Sequence, residues 1–504
     1  MRDVVVVVLA VAATAVFVWK KRRRQRPPQL KYGTAGFRAD AKLLWVAMER
    51  VGILAAIRGG GKKATGVMVT ASHNPERDNG CKIVDTDGGM LAEAWEGRAE
   101  ELARAPEAEV RVPRCDDGVV VVGRDTRRHS RGLADRVKRG VARTGARVLD
   151  VGVVTTPQLH HCVRELNEGA ADASDLFGYY RKLVEAYNRI VPPGTPTVEL
   201  CVDCAGGVGA LAVEKLRGLL NGLELVAVNR VGDVELNRGC GAEFVQKERK
   251  PPRNYDPRRR FCCIDGDADR LVYCYGRDFR VLDGDKIAAL LASYLGEYCR
   301  VGCVQTAYAN GASTAYLSTR VDSLATAKTG VKHVHAKAAD IMDVGIYFEP
   351  NGHGTVLFNN AKSPPERLAP FASLANQCVG DAIADALLVE AVLKLRNWSL
   401  EDWDAIYDDL PSRQLKQKIP DRALLVPDEE TESRLLHPET LQLAIDDLVS
   451  KTPRGRAFVR PSGTEDVVRI YAEAASQPDA DALARACQRA VADACGGGGG
   501  GGGI

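Results

Sequence analysis

The stretch Gly66-Val67-Met68-Val69-Thr70 predicts a short buried strand, and the loop that follows it contains Ser72. The same order of an apolar β-type run and a glycine-containing loop, followed by a helical pattern, recurs from Val119-Val120-Val121-Val122-Gly123. It recurs again over 198–207, with a predicted helix at 210–220. Strands that alternate with helices indicate βαβ units with parallel or mixed sheets. The predicted fold class is therefore α/β.

The pattern changes towards the C-terminus. A helix is predicted over 282–295 beside an Asp-Gly-Asp turn, and an α/β pattern continues to about residue 400. After Pro411, predicted strands at 457–460 and 467–473 flank the turn Pro461-Ser462-Gly463, which indicates a smaller α+β domain. We predict linkers or surface loops at the two proline-rich stretches, 191–196 and 250–257.

The composition limits the class of protein. The chain has 504 residues, a length that suggests about three or four domains. With 45% hydrophobic and 27% charged residues, it is neither wholly disordered, nor collagen-like, nor a polytopic membrane protein. A net charge of +3 gives no electrostatic reason to expect a nucleic-acid partner. The 14 scattered cysteines indicate thiols in a reducing compartment.

The two ends of the chain differ from the part between them. The apolar run Val4–Trp19 precedes basic residues from Lys20 to Arg26, which is the wrong order for a secretory signal peptide. As a helix the run would span about 24 Å, less than the ~30 Å hydrocarbon core, although a thinned bilayer could accept it. A membrane anchor and a dispensable leader both stay open, and either leaves the globular part in the cytoplasm. The glycines from Gly496 to Gly503 predict a flexible tail.

The serine loop Thr70-Ala71-Ser72-His73-Asn74-Pro75 is the first candidate site. Ser72 follows a predicted strand, where α/β proteins place ligands. The loop lacks the G-x-S-x-G pattern of esterases, so an acyl-enzyme is not expected. A phosphoserine fits better, because Arg38, His73 and Lys82 could stabilise phosphate charge. The alternative is a serine that only caps a turn.

The second candidate site is the aspartate loop Asp265-Gly266-Asp267-Ala268-Asp269-Arg270. Three carboxylates at alternate positions can converge on one cation, and hard oxygen ligands suit Mg²⁺. The loop lacks the twelve-residue pattern of an EF-hand. Acidic loops are often only solvated, but apolar strand-like runs flank this one, and three buried aspartates would be costly without a cation.

Two further polar loops complete the set. The sugar loop Glu349-Pro350-Asn351-Gly352-His353-Gly354-Thr355 offers several groups that could hydrogen-bond to sugar hydroxyls. The phosphate loop Arg460-Pro461-Ser462-Gly463-Thr464-Glu465-Asp466, with Arg469, places two guanidiniums around a glycine turn, which favours phosphate. Each is also compatible with an exposed polar turn. Together the four loops describe the transfer of a phosphoryl group between two positions on a sugar, while the phosphate loop holds the phosphate that is not reacting.

In these four loops the sequence resembles the α-D-phosphohexomutase superfamily, over about residues 30 to 494. The further matching segments are 31–38, 123–126, 155–160 and 328–332. Within the superfamily, E-x-N-G-H-G-T and R-P-S-G-T-E-D-V-V-R resemble the branch that acts on N-acetylglucosamine phosphates. The chain departs from the family pattern in its leader and tail, at Pro350, where a small residue is expected, and in shorter loops after His160 and Asn359.

The resemblance implies a four-domain fold, in which three α/β domains with mixed sheets and a smaller α+β C-terminal domain surround a central cleft. The expected ranges are a leader at 1–29, domains at 30–165, 166–280, 281–400 and 401–495, and a polyglycine tail at 496–504. The serine, aspartate, sugar and phosphate loops belong to the first, second, third and fourth domain in that order.

The resemblance also assigns roles by position. Ser72 is the phosphoserine, and Asp265, Asp267 and Asp269 bind one Mg²⁺ together with an oxygen of the Ser72 phosphate. The implied substrate-binding residues are Glu349, Pro350, Asn351, Arg460, Pro461, Ser462, Gly463, Thr464 and Arg469. The implied helpers around the transferred group are Arg38, His73, Lys82 and Arg270, and which of them moves protons stays open.

The implied activity is that of an isomerase that interconverts N-acetylglucosamine 6-phosphate and N-acetylglucosamine 1-phosphate, in the biosynthesis of UDP-N-acetylglucosamine. It implies a 1,6-bisphosphate intermediate, with glucose- or N-acetylglucosamine-1,6-bisphosphate as primer. The expected partner is a small sugar phosphate, besides any membrane contact through residues 4–19, and the oligomeric state is open. The alternatives are a mutase for glucose or mannose phosphates and a non-catalytic, membrane-tethered scaffold.

Overall fold

A computed structural model describes residues 30–33, 36–169, 176–359, 364–462 and 466–496. The predicted leader, including the apolar run 4–19, lies outside the described residues, as do Gly463, Thr464 and all but the first residue of the predicted tail. In the part of the chain that the structure describes, no helix is long and apolar enough to cross a membrane.

The first sheet has five strands in the order β1-β3-β2-β4-β5, with β2, β4 and β5 parallel. Its strands are β1 (Phe37–Asp40), β2 (Ala64–Val69), β3 (Asp78–Val84), β4 (Val119–Arg124) and β5 (Arg147–Val153). The accompanying helices are α1 (Trp45–Gly59), α2 (Glu96–Arg104), α3 (Ser130–Thr144) and α4 (Thr156–Glu168), with 3₁₀ turns at 41–43, 93–95 and 107–109. Helices α1 and α3 pack on one face and α4 on the other, so the strands are buried and valine-rich.

The second sheet also has five strands, in the order β10-β9-β8-β6-β7. Its elements are α5 (Leu176–Ile190), β6 (Val198–Asp203), α6 (Gly209–Leu216), β7 (Leu223–Val228), α7 (Ala242–Glu248), β8 (Arg260–Ile264), β9 (Leu271–Tyr275) and β10 (Arg280–Leu282). The aspartate loop joins the antiparallel strands β8 and β9. Helix α6 ends four residues before the predicted end at 220, because the chain turns at Gly218, whose φ is +71°.

The third sheet has the order β12-β11-β13-β14 and is mixed, since β14 runs antiparallel to β13. Its strands are β11 (Val301–Thr306), β12 (Ser323–Ala327), β13 (Val344–Phe348) and β14 (Gly354–Phe358). The helices are α8 (Gly284–Leu295), α9 (Gly311–Leu317), α10 (Val331–Ile341), α11 (Ala369–Leu374), α12 (Ala382–Arg396) and α13 (Leu400–Asp404), with a 3₁₀ turn at 366–368. Helix α8 begins two residues later than predicted, because Leu282 belongs to β10 and Asp283 caps the helix.

The C-terminal part is a smaller α+β unit. Its elements are β15 (Ser412–Lys418), a 3₁₀ turn at 422–424, β16 (Val426–Pro427), β17 (Leu435–His437), α14 (Glu439–Ser450), β18 (Arg456–Pro461), β19 (Val467–Glu473) and α15 (Gln477–Ala494). Strands β15, β19 and β18 form an antiparallel sheet that is covered by α14 and α15. The architecture confirms the predicted fold of three α/β units and a smaller α+β unit. The predicted domain boundaries stay a prediction.

The second and third sheets share one hydrophobic core. It contains Leu200 of β6, Leu291 of α8, Ile346 of β13 and Trp403 of α13, all fully or nearly fully buried. The first sheet and the C-terminal unit each have cores of their own. The loops after β2, β8 and β13 begin at strands that these cores hold in place. These loops converge, as the contacts below show.

Candidate active site

Ser72 lies just beyond the end of β2, and its backbone is strained. Its φ is +50°, a left-handed conformation that is uncommon for a serine. The residue is buried, with 1% of its surface exposed, and its N–H donates to Thr70 Oγ1 at 3.0 Å. Its Oγ donates to Asp265 Oδ2 at 2.5 Å. The serine and aspartate loops, which are 193 residues apart in sequence, therefore meet.

Two side chains that the sequence analysis did not single out hold the serine loop. The buried guanidinium of Arg127 donates to four main-chain carbonyls, those of Ser72, Asn74, Pro75 and Asp78, at distances between 2.6 and 3.0 Å. Its Nε donates to Asp125 Oδ2 at 3.0 Å. From the segment between β7 and α7, Asn237 Nδ2 donates to the carbonyls of Ser72 and Asn74 at 2.8 and 3.0 Å. Arg127 directly follows the matching segment 123–126, which is a sequence signal that could have found it. Asn237 has no such signal.

The three aspartates of the aspartate loop form a compact, buried group. Asp265, Asp267 and Asp269 have at most 2% of their surfaces exposed, and one carboxylate oxygen of each lies within 4.8 Å of the others. Gly266 permits this packing, because a Cβ there would lie 2.7 Å from the Ser72 carbonyl oxygen. Asp267 Oδ1 and Asp269 Oδ1 are buried and have no hydrogen-bond donor among the described residues. Three carboxylates with two buried oxygens unmatched fit a divalent cation with oxygen ligands, such as Mg²⁺.

Cationic and polar neighbours partly balance these carboxylates. Lys82 Nζ lies 2.7 Å from Asp267 Oδ2 and 2.5 Å from Asp269 Oδ2, and Thr156 Oγ1 donates to Asp267 at 2.6 Å. Burial opposes ionisation, but Lys82 holds the pKa of Asp267 and that of Asp269 below the usual range. Burial and repulsion by its two neighbours raise the pKa of Asp265 well above the usual range. Asp265 is therefore the one carboxyl group of the three whose charge the neighbouring cations do not balance.

The remaining predicted helpers surround the serine. Arg38 Nη1 donates to Asn74 Oδ1 at 3.4 Å, and Arg270 Nη1 donates to Glu243 Oε2 at 2.7 Å. His73 Nδ1 lies 3.4 Å from Ser72 Oγ. Burial and the charge of Arg270 lower the pKa of His73 well below its usual value, so its ring is neutral at pH 7. Glu243 was also missed from sequence, and although burial opposes ionisation, Arg270 lowers its pKa to about 2.

The sugar loop is the tight turn between β13 and β14. Gly352 N donates to the Glu349 carbonyl at 2.8 Å, and His353 N donates to Asn351 Oδ1 at 2.9 Å. Gly352 has a φ of +84°, and a Cβ there would lie 2.0 Å from the Leu271 carbonyl oxygen. The turn tolerates Pro350, whose missing N–H is not among these donors. The Glu349 carboxyl group is buried, and that burial raises its pKa.

Two contacts bring the sugar loop to the aspartate loop. Leu271 N, at the start of β9, donates to the Gly352 carbonyl at 3.0 Å. His353 Nδ1 lies 3.6 Å from Asp269 Oδ1, and burial lowers the pKa of His353 to about 4. Glu349 also interacts electrostatically with both Arg270 and Arg460.

The phosphate loop joins β18 and β19. Arg460 and Arg469 are register partners on these strands, so their side chains leave the sheet on the same face. Pro461 ends β18, and the buried Ser462 donates its N–H to the Val467 carbonyl at 2.8 Å. Gly463 and Thr464, the other predicted ligands of the phosphate, lie outside the described residues. Arg460 is contacted by Glu432, which the sequence analysis did not single out.

The chain matches several known proteins. The matching family models are phosphoglucomutase/phosphomannomutase alpha/beta/alpha domain I at residues 52–110 and 99–174, and the C-terminal domain of the same family at 427–490. Residues 283–398 match the model described as phosphoacetylglucosamine mutase AMG1, domain III. The phosphoacetylglucosamine mutase of Sus scrofa is 45% identical, over 93% of this chain and 95% of its own.

Solved structures give the same result. Aspergillus fumigatus N-acetylphosphoglucosamine mutase in complex with GlcNAc-6P and magnesium matches with a TM-score of 0.86 and 39% identity, covering 94% of this chain and 98% of its own. A serine-to-alanine variant of the fungal enzyme, in complex with glucose 1,6-bisphosphate, matches with a TM-score of 0.84 and the same identity, covering 94% and 97%. Since this likeness extends over nearly the whole of each chain, in sequence and in fold, the chain belongs to the phosphoacetylglucosamine mutase family of the α-D-phosphohexomutase superfamily.

Proposed function

We propose that this chain is an isomerase that interconverts N-acetylglucosamine 6-phosphate and N-acetylglucosamine 1-phosphate. The observation that carries the proposal is the contact between Ser72 Oγ and Asp265 Oδ2, at 2.5 Å, at the edge of a buried group of three carboxylates. A serine at a cation site is suited to carry a phosphoryl group, because cation and arginine charges offset those of the phosphate. Family membership adds the sugar, since relatives of this name act on N-acetylglucosamine phosphates.

Asp265, Asp267 and Asp269 are the residues that would hold Mg²⁺, with an oxygen of phosphorylated Ser72 as a further ligand. When bound, the ion supplies positive charge to the phosphoryl group during transfer. The two buried carboxylate oxygens without donors support this assignment. The fungal relative solved with magnesium supports the same ion.

In the proposed reaction, Ser72 carries the phosphoryl group first. The bond from phosphorus to Ser72 Oγ breaks as a bond to the sugar O1 forms, which yields the 1,6-bisphosphate. The O1 hydroxyl loses its proton and Ser72 Oγ takes one up, so Ser72 is left as a free hydroxyl. After the bisphosphate reorients, Ser72 Oγ attacks the 6-phosphoryl group, and the bond from that phosphorus to the sugar O6 breaks. Oγ loses its proton and O6 takes one up, so phosphoserine is regenerated with the 1-phosphate as product.

The chain's own residues assist this transfer by offsetting the negative charge of the phosphoryl group. Arg38, Arg270 and Lys82 supply the cations around the serine, and the neutral ring of His73 adds a hydrogen-bonding group without further charge. A glucose- or N-acetylglucosamine-1,6-bisphosphate would phosphorylate Ser72 at the start. The fungal variant solved with glucose 1,6-bisphosphate supports such a primer.

The phosphate that does not react would lie on Arg460, Ser462 and Arg469, while Glu349 and Asn351 bind sugar hydroxyls. The charges of both Arg270 and Arg460 act on the Glu349 carboxyl group, which supports a sugar site that extends from the aspartate loop towards the phosphate loop. A mutase for glucose or mannose phosphates is not favoured. The third-domain segment that contains the sugar loop matches the phosphoacetylglucosamine mutase model.

The test follows ³¹P NMR signals of the purified protein with Mg²⁺ and a trace of glucose 1,6-bisphosphate. N-acetylglucosamine 6-phosphate and glucose 6-phosphate are compared in parallel, and Ser72→Ala is the inactive control. We expect the acetylated sugar to be converted to its 1-phosphate in preference to glucose 6-phosphate. A preference for glucose 6-phosphate would contradict the proposed substrate, and conversion by Ser72→Ala would contradict the proposed mechanism.

A further inference from the structure

Glu432 joins the third and fourth domains at the phosphate loop. Its Oε2 accepts a hydrogen bond from Arg460 Nε at 2.5 Å, and the same oxygen accepts one from Thr329 N at 3.0 Å. Arg460 and Glu432 belong to the C-terminal unit, whereas Thr329 lies between β12 and α10 of the third sheet. Each of the Arg460 and Glu432 side chains has less than one fifth of its surface exposed, so the pair is shielded from solvent. A charge-assisted bond in such a place is stronger than an exposed one.

The turn that presents Glu432 is tightly built. Asp428 accepts from the N–H groups of Thr431, Ser433 and Arg434 at 2.6, 3.0 and 3.1 Å, and its own N–H donates to the Arg434 carbonyl. These bonds hold Glu432 at a φ of +55°, a conformation that glutamate rarely adopts. A strained residue persists only where its surroundings over-determine it. The Glu432 carboxylate is therefore fixed beside Arg460 rather than carried on a mobile loop.

Glu432 engages one part of the guanidinium. The hydrogen bond to Glu432 uses Nε, the guanidinium nitrogen nearest the main chain, whereas arginine recognises phosphate with pairs of N–H groups of its planar fork. A carboxylate at Nε can fix the plane of the guanidinium and leave its outer edge directed at a ligand. In many binding sites, a residue that does not touch the ligand orients the side chain that does, through a hydrogen bond to it.

We infer that Glu432 is a positioning residue that sets the guanidinium of Arg460 for the non-reacting phosphate and ties the fourth domain to the third at Thr329. This rests on the proposed function, because it takes the Arg460 ligand to be a sugar phosphate. The opposite role would be an internal mimic of the phosphate, which the substrate must displace. The two roles predict opposite changes in affinity when Glu432 is replaced.

The test measures the affinity for N-acetylglucosamine 6-phosphate by calorimetry, in full-length protein that carries Ser72→Ala and cannot turn over. With Glu432→Ala, the Kd should rise about tenfold, and with Glu432→Gln, which keeps an oxygen acceptor without charge, about threefold. Glu430→Ala removes the same charge from an exposed position of the same loop, and we expect it to leave the Kd unchanged. Thermal melts verify that each variant is folded.

A double-mutant cycle separates positioning from a general structural effect. In an Arg460→Ala background, Glu432→Ala should cause no further loss of affinity, since the group it orients is gone. An unchanged or lower Kd in both Glu432 variants, or an equal loss without Arg460, would overturn the inference. If the wild type binds the sugar phosphate but converts none, the proposed function alone fails. If it binds none, the inference fails with it.

Discussion

At the scale of single residues, the candidate site depends on groups whose importance no sequence pattern reveals. Ser72, the three aspartates and Glu349 could be predicted, because each lies in a loop with a chemical pattern of its own. Arg127, Asn237, Glu243 and Glu432 could not. Their partners are main-chain carbonyl and N–H groups or charged side chains elsewhere in the chain, and only the folded chain brings these together.

Asn237 gives the most direct test of how the serine loop is held. Its φ of +60° is one that Gly and Asp also accept, so these substitutions change the side chain and spare the backbone. We expect Asn237→Gly to lower kcat about tenfold, since two hydrogen bonds to the serine loop are lost. Asn237→Asp should lower it further, because a carboxylate would face the carbonyls of Ser72 and Asn74.

Asn254→Gly is the matched control for the Asn237 variants. Asn254 is also at positive φ, at +59°, but its side chain binds Asn229 and does not contact the serine loop. Its replacement should leave kcat within about twofold of the wild-type value. The measurements are initial rates and the rate of Ser72 phosphorylation by the bisphosphate primer. Wild-type rates in Asn237→Asp would show that the loop does not need this contact.

At the scale of secondary-structure elements, the aspartate loop between β8 and β9 is predicted as a metal site from the alternation of its carboxylates and from the apolar strands that flank it. Its role stays a prediction, and binding can be measured without turnover. We expect Mg²⁺ to raise the melting temperature of the wild type, because an ion that binds only the folded state stabilises it. Asp267→Asn should abolish this shift and keep a folded protein, since the neutral amide can still bond to Thr156.

A partly exposed aspartate provides the control for the magnesium effect. Asp256→Asn, in the loop between α7 and β8, removes a charge that pairs with Arg258 at the surface. It should leave the Mg²⁺-dependent shift unchanged. A shift of wild-type size in Asp267→Asn would contradict the metal assignment of the aspartate loop.

Helix α4 contributes to the pH dependence of stability. Burial lowers the pKa of His160 to about 4, and its Nδ1 lies 2.7 Å from the Gly88 carbonyl oxygen. In the unfolded chain a histidine titrates near 6.5, so between about pH 6.5 and 4 the unfolded state binds more protons. Stability should therefore fall as the pH falls through this window, by about 2 kcal/mol for this group between pH 7 and 5.

Urea unfolding at pH 7 and pH 5 measures this effect. His160→Gln should reduce the difference between the two pH values by about 2 kcal/mol, because the replacement does not titrate. His333→Gln is the control, since His333 is only half-buried and lies outside this packing. An unchanged pH dependence in His160→Gln would mean that His160 is not buried as the structure places it.

Element boundaries could be predicted less well than element types. Helix α6 ends at Leu216 instead of 220, because a left-handed glycine turns the chain there. The strands at 457–460 and 467–473 were found within one residue of their ends, because a proline and a glycine mark the turn between them. A glycine or proline in the sequence marks a possible break, but whether a helix ends there depends on the backbone conformation that the folded chain gives it.

At the scale of the whole molecule, the second and third sheets unfold as one unit if their common core governs stability. Trp403 lies in this core, 5.3 Å from the ring of Tyr273, and its Nε1 donates to the Lys286 carbonyl. Trp403→Ala should cost about 3–5 kcal/mol and lower hydrogen-exchange protection in β9 and β13 together. Trp398→Ala, at a half-buried position, should cost much less. Loss of protection in only one of the two strands would contradict a shared core.

The architecture could be predicted from sequence, but the sharing of the core could not. Alternating strands and helices predict the α/β class, and the resemblance to the superfamily implies four domains. Which units merge their cores depends on helices such as α5, which packs against α11 and α12 from nearly two hundred residues away. No periodicity in the sequence carries that information.

The central claim is that Ser72 carries the phosphoryl group. The most direct measurement treats dephosphorylated protein with glucose 1,6-bisphosphate and Mg²⁺, and then locates the phosphate by peptide mass spectrometry. We expect a gain of about 80 Da, one phosphoryl group, on the peptide that contains Ser72, and no gain in Ser72→Ala. Phosphate on a different residue, or turnover of the sugar phosphate by a protein in which Ser72 is never phosphorylated, would contradict the account.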